Sequence, residues 1–174
     1  MKLYTSNTRG DIKNCLYPTE VTATDVRSLE KAAEYDHVMA KYKNNYRSKD
    51  NFIESDCIAM DLDNEYSDDP KDWKDIKDIK GIFKDIKFAV VYSRSHMKKK
   101  ENKAPRPRLH IYFPIPRITD IDEYESLKER LAYYYPYFDR NALDGARLFF
   151  GVKSPVVEIV RGRNFVTRLL EEDD

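Results

Sequence analysis

Apolar positions along the chain switch between strand-like and helix-like spacing. The opening MKLYTS alternates weakly and predicts an edge strand. Val26, Leu29, Ala33 and Val38 recur at roughly helical spacing, so residues 24–42 read as a helix capped by Thr24 or Asp25. The polar, basic stretch KYKNNYRSKDN reads as a loop. CIAMDLD (Cys57 to Asp63) is short, apolar and then acidic, the pattern of a buried strand. NEYSDDP follows as a loop, and Pro70 suits a helix start. Trp73, Ile76, Ile79, Phe83 and Ile86 fall three or four apart and predict a second helix, with Gly81 as an interruption. FAVVYS and RLHIYFPIP predict two more strands, the second ended by Pro114 and Pro116. Between them lies the long basic connection RSHMKKKENKAPRP. A third helix starts at Asp120 or Asp122 and runs to about Tyr135, and short strands are expected at 148–152 and 156–160. Interleaved helices and strands give an α/β (α+β) class with one mixed or antiparallel sheet.

The 174 residues fit one domain, 1–174, with enough chain to bury a core. Lys+Arg and Asp+Glu balance at 31 each, so the net charge of zero points to no class of partner and local clusters matter instead. Residues 56–72 are acidic, 98–108 basic, and 171–174 form an acidic tail. An acidic spot beside a basic one suits metal plus phosphate; a solvated surface of mixed charge is the plainer reading. Cys15 and Cys57 offer neither zinc spacing nor a disulfide framework, which fits a reducing, cytoplasmic setting. The start lacks the apolar run of a signal peptide, and no stretch is long enough to span a bilayer, so a soluble protein is expected. Most of the 13 tyrosines and 8 phenylalanines should serve the core, with a few free to stack on bases.

Three clusters carry candidate chemistry. In a strand, residues i and i+2 share a face, so Asp61 and Asp63 present carboxylates side by side while Ile58, Met60 and Leu62 point the other way. Two carboxylates about 7 Å apart at Cα repel unless a cation lies between them. Oxygen donors favour Mg2+ or Mn2+. A surface turn is the plain alternative. A calcium loop is a rival, but Tyr66 stands where that loop needs glycine. Arg106, Arg108 and His110 alternate in PRPRLHIYFP and should face one side as an anion site, against a plain exposed strand face. His96 reads as a surface residue. FDRNALDGARLFFG supplies a third acid, Asp139 or Asp144, and Arg147 for a phosphate or a structural ion pair. Lys41, Lys43, Arg47 and Lys98 to Lys100 are candidates for salt-sensitive contacts to a nucleic-acid backbone, or simply for solubility.

Taken in order, these clusters resemble the archaeo-eukaryotic primase superfamily, especially phage- and plasmid-type primase-polymerases. CIAMDLDNE matches the family's apolar lead into D-x-D. R-P-R-L-H matches its second motif with Arg106 at the basic position and His110 at the histidine; Arg108 replaces the usual serine. Phe138-Asp139 with Arg147 matches the third. The resemblance spans about residues 36–160. It implies a sheet like an RNA-recognition module packed with an N-terminal α/β unit. It implies a DNA primase or polymerase in which Asp61, Asp63 and Asp139 hold two divalent ions. His110, Arg106, Arg108 and Arg147 would bind the nucleoside triphosphate on a single-stranded DNA template. A replicative helicase is an expected partner. Two other classes stay open. One is a non-catalytic nucleic-acid-binding module of the same fold. The other is a replication-initiation nickase, against which Tyr112 stands where that class needs a second histidine.

Overall fold

A computed structural model describes residues 1–171; residues 172–174 of the expected acidic tail lie outside the described residues. The strands form two sheets rather than the one expected, and all strand pairings are antiparallel. One sheet runs β2 (Thr19–Thr22), β1 (Lys2–Thr5), β3 (His37–Val38), β8 (Leu148–Phe149). The other runs β4 (Lys41–Tyr42), β5 (Phe52–Leu62), β7 (Leu109–Ile118), β6 (Phe88–Tyr92), β9 (Val157–Val160). The helices are α1 (Val26–Ala33), α2 (Ile76–Ile82), α3 (Ile121–Tyr134) and α4 (Thr167–Glu171).

Side-chain alternation sorts the five-stranded sheet into two faces. Ile58, Met60, Leu62, Phe88, Val90, Leu109, Ile111 and Phe113 enter one core, closed by residues of α2, α3 and α4 such as Ile79, Leu131 and Leu170. Cys57, Ala59, Ala89, Val91 and Tyr112 enter a second core with Leu3, Leu29 and Phe149. That second layer brings Phe149 of β8 in the smaller sheet onto His110, where the end of β5 meets the start of β7 and the candidate residues lie.

Several expected boundaries move for identifiable reasons. The helix predicted over 24–42 ends at Ala33. Asp25 and Ser28 cap its start reciprocally, as a capping box does. Beyond it, the buried Asp36 carboxylate accepts backbone N–H bonds from Gly10 (2.7 Å), Asp11 (2.9 Å) and Gly151 (2.7 Å). That tether draws the chain out of the helix, and His37–Val38 pairs with β1 and β8. β1 is therefore interior and β2 takes the edge. The second helix shortens to Ile76–Ile82, started by Asp75, and Gly81 lies within it without breaking it. Pro114 and Pro116 do not end β7. Its register with β5 steps from Cys57↔Pro114 to Ser55↔Ile118, a bulge in which proline need not donate to the ladder. The Asp120 carboxylate caps α3 by accepting from the Asp122 and Glu123 amides. The last two strands contract to Leu148–Phe149 and Val157–Val160.

Candidate metal and nucleotide site

Antiparallel register places Asp61 of β5 directly opposite His110 of β7. Asp63 follows one residue beyond the end of β5. Asp139 reaches them from the far end of α3: its amide donates to the Asp61 carbonyl (2.8 Å), and its carboxylate caps the turn at Arg140–Ala142 through the Asn141 amide (2.9 Å). Ligand atoms of Asp61, Asp63 and Asp139 all lie within 4.8 Å of one another. Asp144, the alternative third acid, instead sits in a turn. Its carboxylate accepts from the Ala146 amide (3.0 Å) and its carbonyl from Lys128 (3.3 Å).

This cluster is electrostatically unfavourable as it stands. Asp61 is buried, and desolvation followed by the charges of Asp63 and Asp139 pushes its carboxyl well above the usual range, against an opposing pull from Arg147. Asp63 is also raised, by burial first, with Arg108 and Lys100 pulling the other way. The Asp61 Oδ1 atom is buried without a hydrogen-bond partner among the described residues. An orphaned carboxylate oxygen amid two more carboxylates fits a hard divalent cation with oxygen ligands.

The His110 ring stacks on Phe149 of β8, with centroids 3.9 Å apart and planes 8° from parallel. Burial, then the charges of His37 and Arg147, lowers its pKa to about 3, so it is neutral at ordinary pH. Its Nε2 lies 3.7 Å from Asp61 Oδ1, which for a neutral ring is a contact and not an ion pair. The expectation of a positively charged histidine strand is thereby replaced. Cationic charge comes from loops around it. A cleft of about 220 Å³ is bordered by Asp61, Asp63, His110, Arg94, Lys100 and Arg147. The Arg94 guanidinium lies 4.5 Å over the Phe150 ring, and the Arg147 Nε is buried without a hydrogen-bond partner among the described residues.

Arg106 and Arg108 do not extend a row with His110, because the strand begins only at Leu109. Arg106 turns into the loop after β5. It donates to the carbonyls of Asn64 (2.9 Å), Ser67 (3.1 Å) and Ala104 (3.1 Å), pairs with Asp68 (3.3 Å) and lies 4.6 Å over the Trp73 ring. Arg108, fully buried, donates to the Asp63 carbonyl (3.1 Å) and to Glu65 (2.9 Å). Glu65 also pairs with Lys103 (3.3 Å) and Lys100 (3.7 Å). Where the resemblance called for serine, this arginine holds the acidic loop in place. Arg47 ties Ile12 and Ala146 through their carbonyls (3.3 and 3.0 Å), whereas Lys41 and Lys43 are exposed. His96 accepts from the Arg108 amide (3.1 Å) and packs on Tyr92, a structural role. Sequence reasoning missed Arg94 as a border of the cleft, because an arginine in an aperiodic loop carries no spacing signal. It also missed Asp36.

The described residues thus form an antiparallel α+β fold with a carboxylate cluster at the end of a central strand and cationic side chains bordering the same cleft. No protein-family model matches the sequence, and no curated protein matches it. Among solved structures, the chain is similar in fold to the AEP domain of the cyanophage S-2L primase-polymerase. The TM-score is 0.52 at 11% identity, covering 98% of this chain and 86% of that one. At that identity the likeness is one of fold. No helix among the described residues is long and apolar enough to cross a membrane.

Proposed function

We propose that this chain is a metal-dependent nucleotidyltransferase, a DNA primase or DNA-directed polymerase that adds nucleotides along a single-stranded template, acting through one catalytic domain. The observation that carries the reading is the carboxylate cluster of buried Asp61 and half-buried Asp63 and Asp139, beside a cleft bordered by Arg94, Lys100 and Arg147. The shared fold with a phage primase-polymerase domain supports it.

Asp61, Asp63 and Asp139 would hold Mg2+ or Mn2+. Bound there, such ions supply charge to neutralise a triphosphate and make an attacking hydroxyl more acidic. The protein's own groups do the rest by position and charge. Arg94, Lys100 and Arg147 attract the phosphates. Lys100 exchanges its pairing with Glu65 for a phosphate oxygen. Neutral His110, fixed by the Phe149 stack, offers one ring nitrogen as donor and the other as acceptor. Arg108 keeps Asp63 in register through its carbonyl. Arg106 has its donors committed to the loop after β5, so its part in phosphate binding is indirect.

The test is incorporation of a labelled nucleotide on a primed single-stranded template with Mn2+ or Mg2+. The wild type should incorporate, while Asp61→Ala and His110→Ala should fall steeply. Equal incorporation by wild type and Asp61→Ala would remove the reading.

A further inference from the structure

The three cations that border the carboxylate cleft are held in different ways. Lys100 pairs with Glu65 (3.7 Å), and Arg147 is half-buried. Arg94 is exposed, and no hydrogen bond or ion pair to a described residue holds its guanidinium. A long side chain of that kind loses rotamer freedom when it grips an anion, and the loss weakens binding. Two contacts restrain it. Its guanidinium carbon lies 4.5 Å from the centre of the Phe150 ring. A methyl group at Gly10 would lie 3.0 Å from its Nη1 atom. An aromatic ring and a bare stretch of backbone thus form a seat for the guanidinium plane.

One carboxylate holds both parts of that seat, although they come from near opposite ends of the chain. Asp36 is fully buried. Its Oδ1 atom accepts from the Gly10 amide (2.7 Å) and the Gly151 amide (2.7 Å), and its Oδ2 atom from the Asp11 amide (2.9 Å). Hydrogen bonds to an ionised acceptor are the stronger kind. Phe150 precedes Gly151 and so hangs from the same oxygen as Gly10. The backbone of Asp36 adds to the clasp: its amide donates to the Thr8 carbonyl and its carbonyl accepts from the Ser6 amide, each at 2.9 Å. Gly10 has a φ of +74°, in the left-handed region that glycine enters without penalty. The same loop carries Ile12 to the border of the cleft, where Arg47 donates to its carbonyl (3.3 Å).

We infer that Asp36 and Gly10 are positioning residues for Arg94. The Asp36 clasp brings the Phe150 ring and the Gly10 backbone together, and the seat orients the Arg94 guanidinium at the cleft before an anion arrives. The ordering cost is then met in folding and not in binding. Glycine at position 10 serves this in two ways, by its backbone conformation and by leaving room for Nη1. The inference rests on the reading of the cleft as the site of a nucleoside triphosphate. Asp36 and Gly10 touch no substrate in it; they act through Arg94.

The experiment is a mutant cycle on the full chain with two readouts. One is the affinity for a fluorescent, non-hydrolysable nucleoside triphosphate with Mg2+; the other is the KM and kcat of nucleotide incorporation. Gly10→Ala should weaken affinity and raise the triphosphate KM by roughly threefold to tenfold, with kcat nearly unchanged. Phe150→Leu should act alike, and Phe150→Tyr, which keeps the ring, should retain wild-type affinity. Arg94→Ala should weaken affinity by roughly tenfold or more. In the Arg94→Ala background, Gly10→Ala and Phe150→Leu should add almost nothing, because residues that act through a common partner are not additive. Asp36→Asn, folded by its thermal melt, should follow the same pattern; if it does not fold, the Gly10 and Phe150 cycles decide. An unchanged affinity in Gly10→Ala overturns the inference. So does an equal loss with and without Arg94, which would mark Gly10 as a general structural residue. A wild type that binds the triphosphate through a coupled Gly10 and Arg94 but incorporates nothing overturns the parent reading and not the seat. A wild type that binds no triphosphate overturns both.

Discussion

The two faces of the five-stranded sheet are built from the same strands and obey opposite rules. On one face Ile58, Met60, Leu62, Ile111 and Phe113 are fully buried among other apolar side chains. On the other, the small residues Cys57, Ala59 and Ala89 give way to Asp61, His110 and Tyr112, all buried. The first face gains from burying apolar area, at roughly 25 cal/mol per Å². The second keeps polar groups in surroundings that oppose their charge: Asp61 Oδ1 and His110 Nδ1 lack hydrogen-bond partners among the described residues. Period-two alternation lets one strand carry both, an apolar core on one side and buried polar groups on the other. Strain of this sort at one locus is the expected signature of a functional site.

The contrast can be broken most sharply at Asp61. Asp61→Asn should reduce nucleotide incorporation about a thousandfold or more, yet raise the melting temperature of the metal-free protein at neutral pH. Loss of activity with an unchanged or lower melting temperature would show that Asp61 is not held at a cost. On the opposite face, Phe113→Ala should destabilise by about 3–5 kcal/mol in a denaturant titration. A loss under about 1 kcal/mol would mean that this face is not the stabilising one.

The pH dependence sharpens the same point. Asp61 and Asp63 are raised above their ordinary carboxyl values, by burial first and then by neighbouring acids. The unfolded chain therefore releases these protons at lower pH than the folded one does. Stability from this source is fully present below the unfolded carboxyl range and is lost as pH rises through the folded values. Metal-free protein should melt lower at pH 7 than at pH 5 on this account, and Asp61→Asn should flatten the slope. Divalent metal should offset the loss, more strongly at the higher pH. A slope unchanged by Asp61→Asn would contradict this. Smaller again is the effect of Tyr112→Phe. Its hydroxyl is 2.6 Å from His37 Nε2, whose Nδ1 is 2.8 Å from the Tyr35 carbonyl. Removing it should cost about 1–3 kcal/mol in the same denaturant titration.

How much of this was legible in the sequence follows from range. CIAMDLD is legible because a short apolar run turning acidic is a local pattern, and β5 carries Asp61 to the strand end as that pattern implies. The order of acid pair, histidine and third acid pointed to Asp61, Asp63 and Asp139, which the fold gathers within 4.8 Å. The second sheet was not legible. β3 and β8 are two residues each, and they exist only because β1 and Asp36 hold partners distant in the chain. Nor was the fate of the arginines. Arg106, Arg108 and His110 share a spacing, but an arginine's role depends on which carbonyls lie within its reach. Here those belong to the loop after β5. Arg94 and Lys100 lie in an aperiodic loop, where spacing carries no information about facing.

The central claim is that the three carboxylates together bind a divalent cation. It is tested most directly by titrating Mn2+ into the protein and following free Mn2+ by electron paramagnetic resonance, beside Asp61→Asn. The account predicts saturable binding at neutral pH by the wild type and its loss in the variant. Equal Mn2+ binding by the two proteins, or none by the wild type, would contradict it.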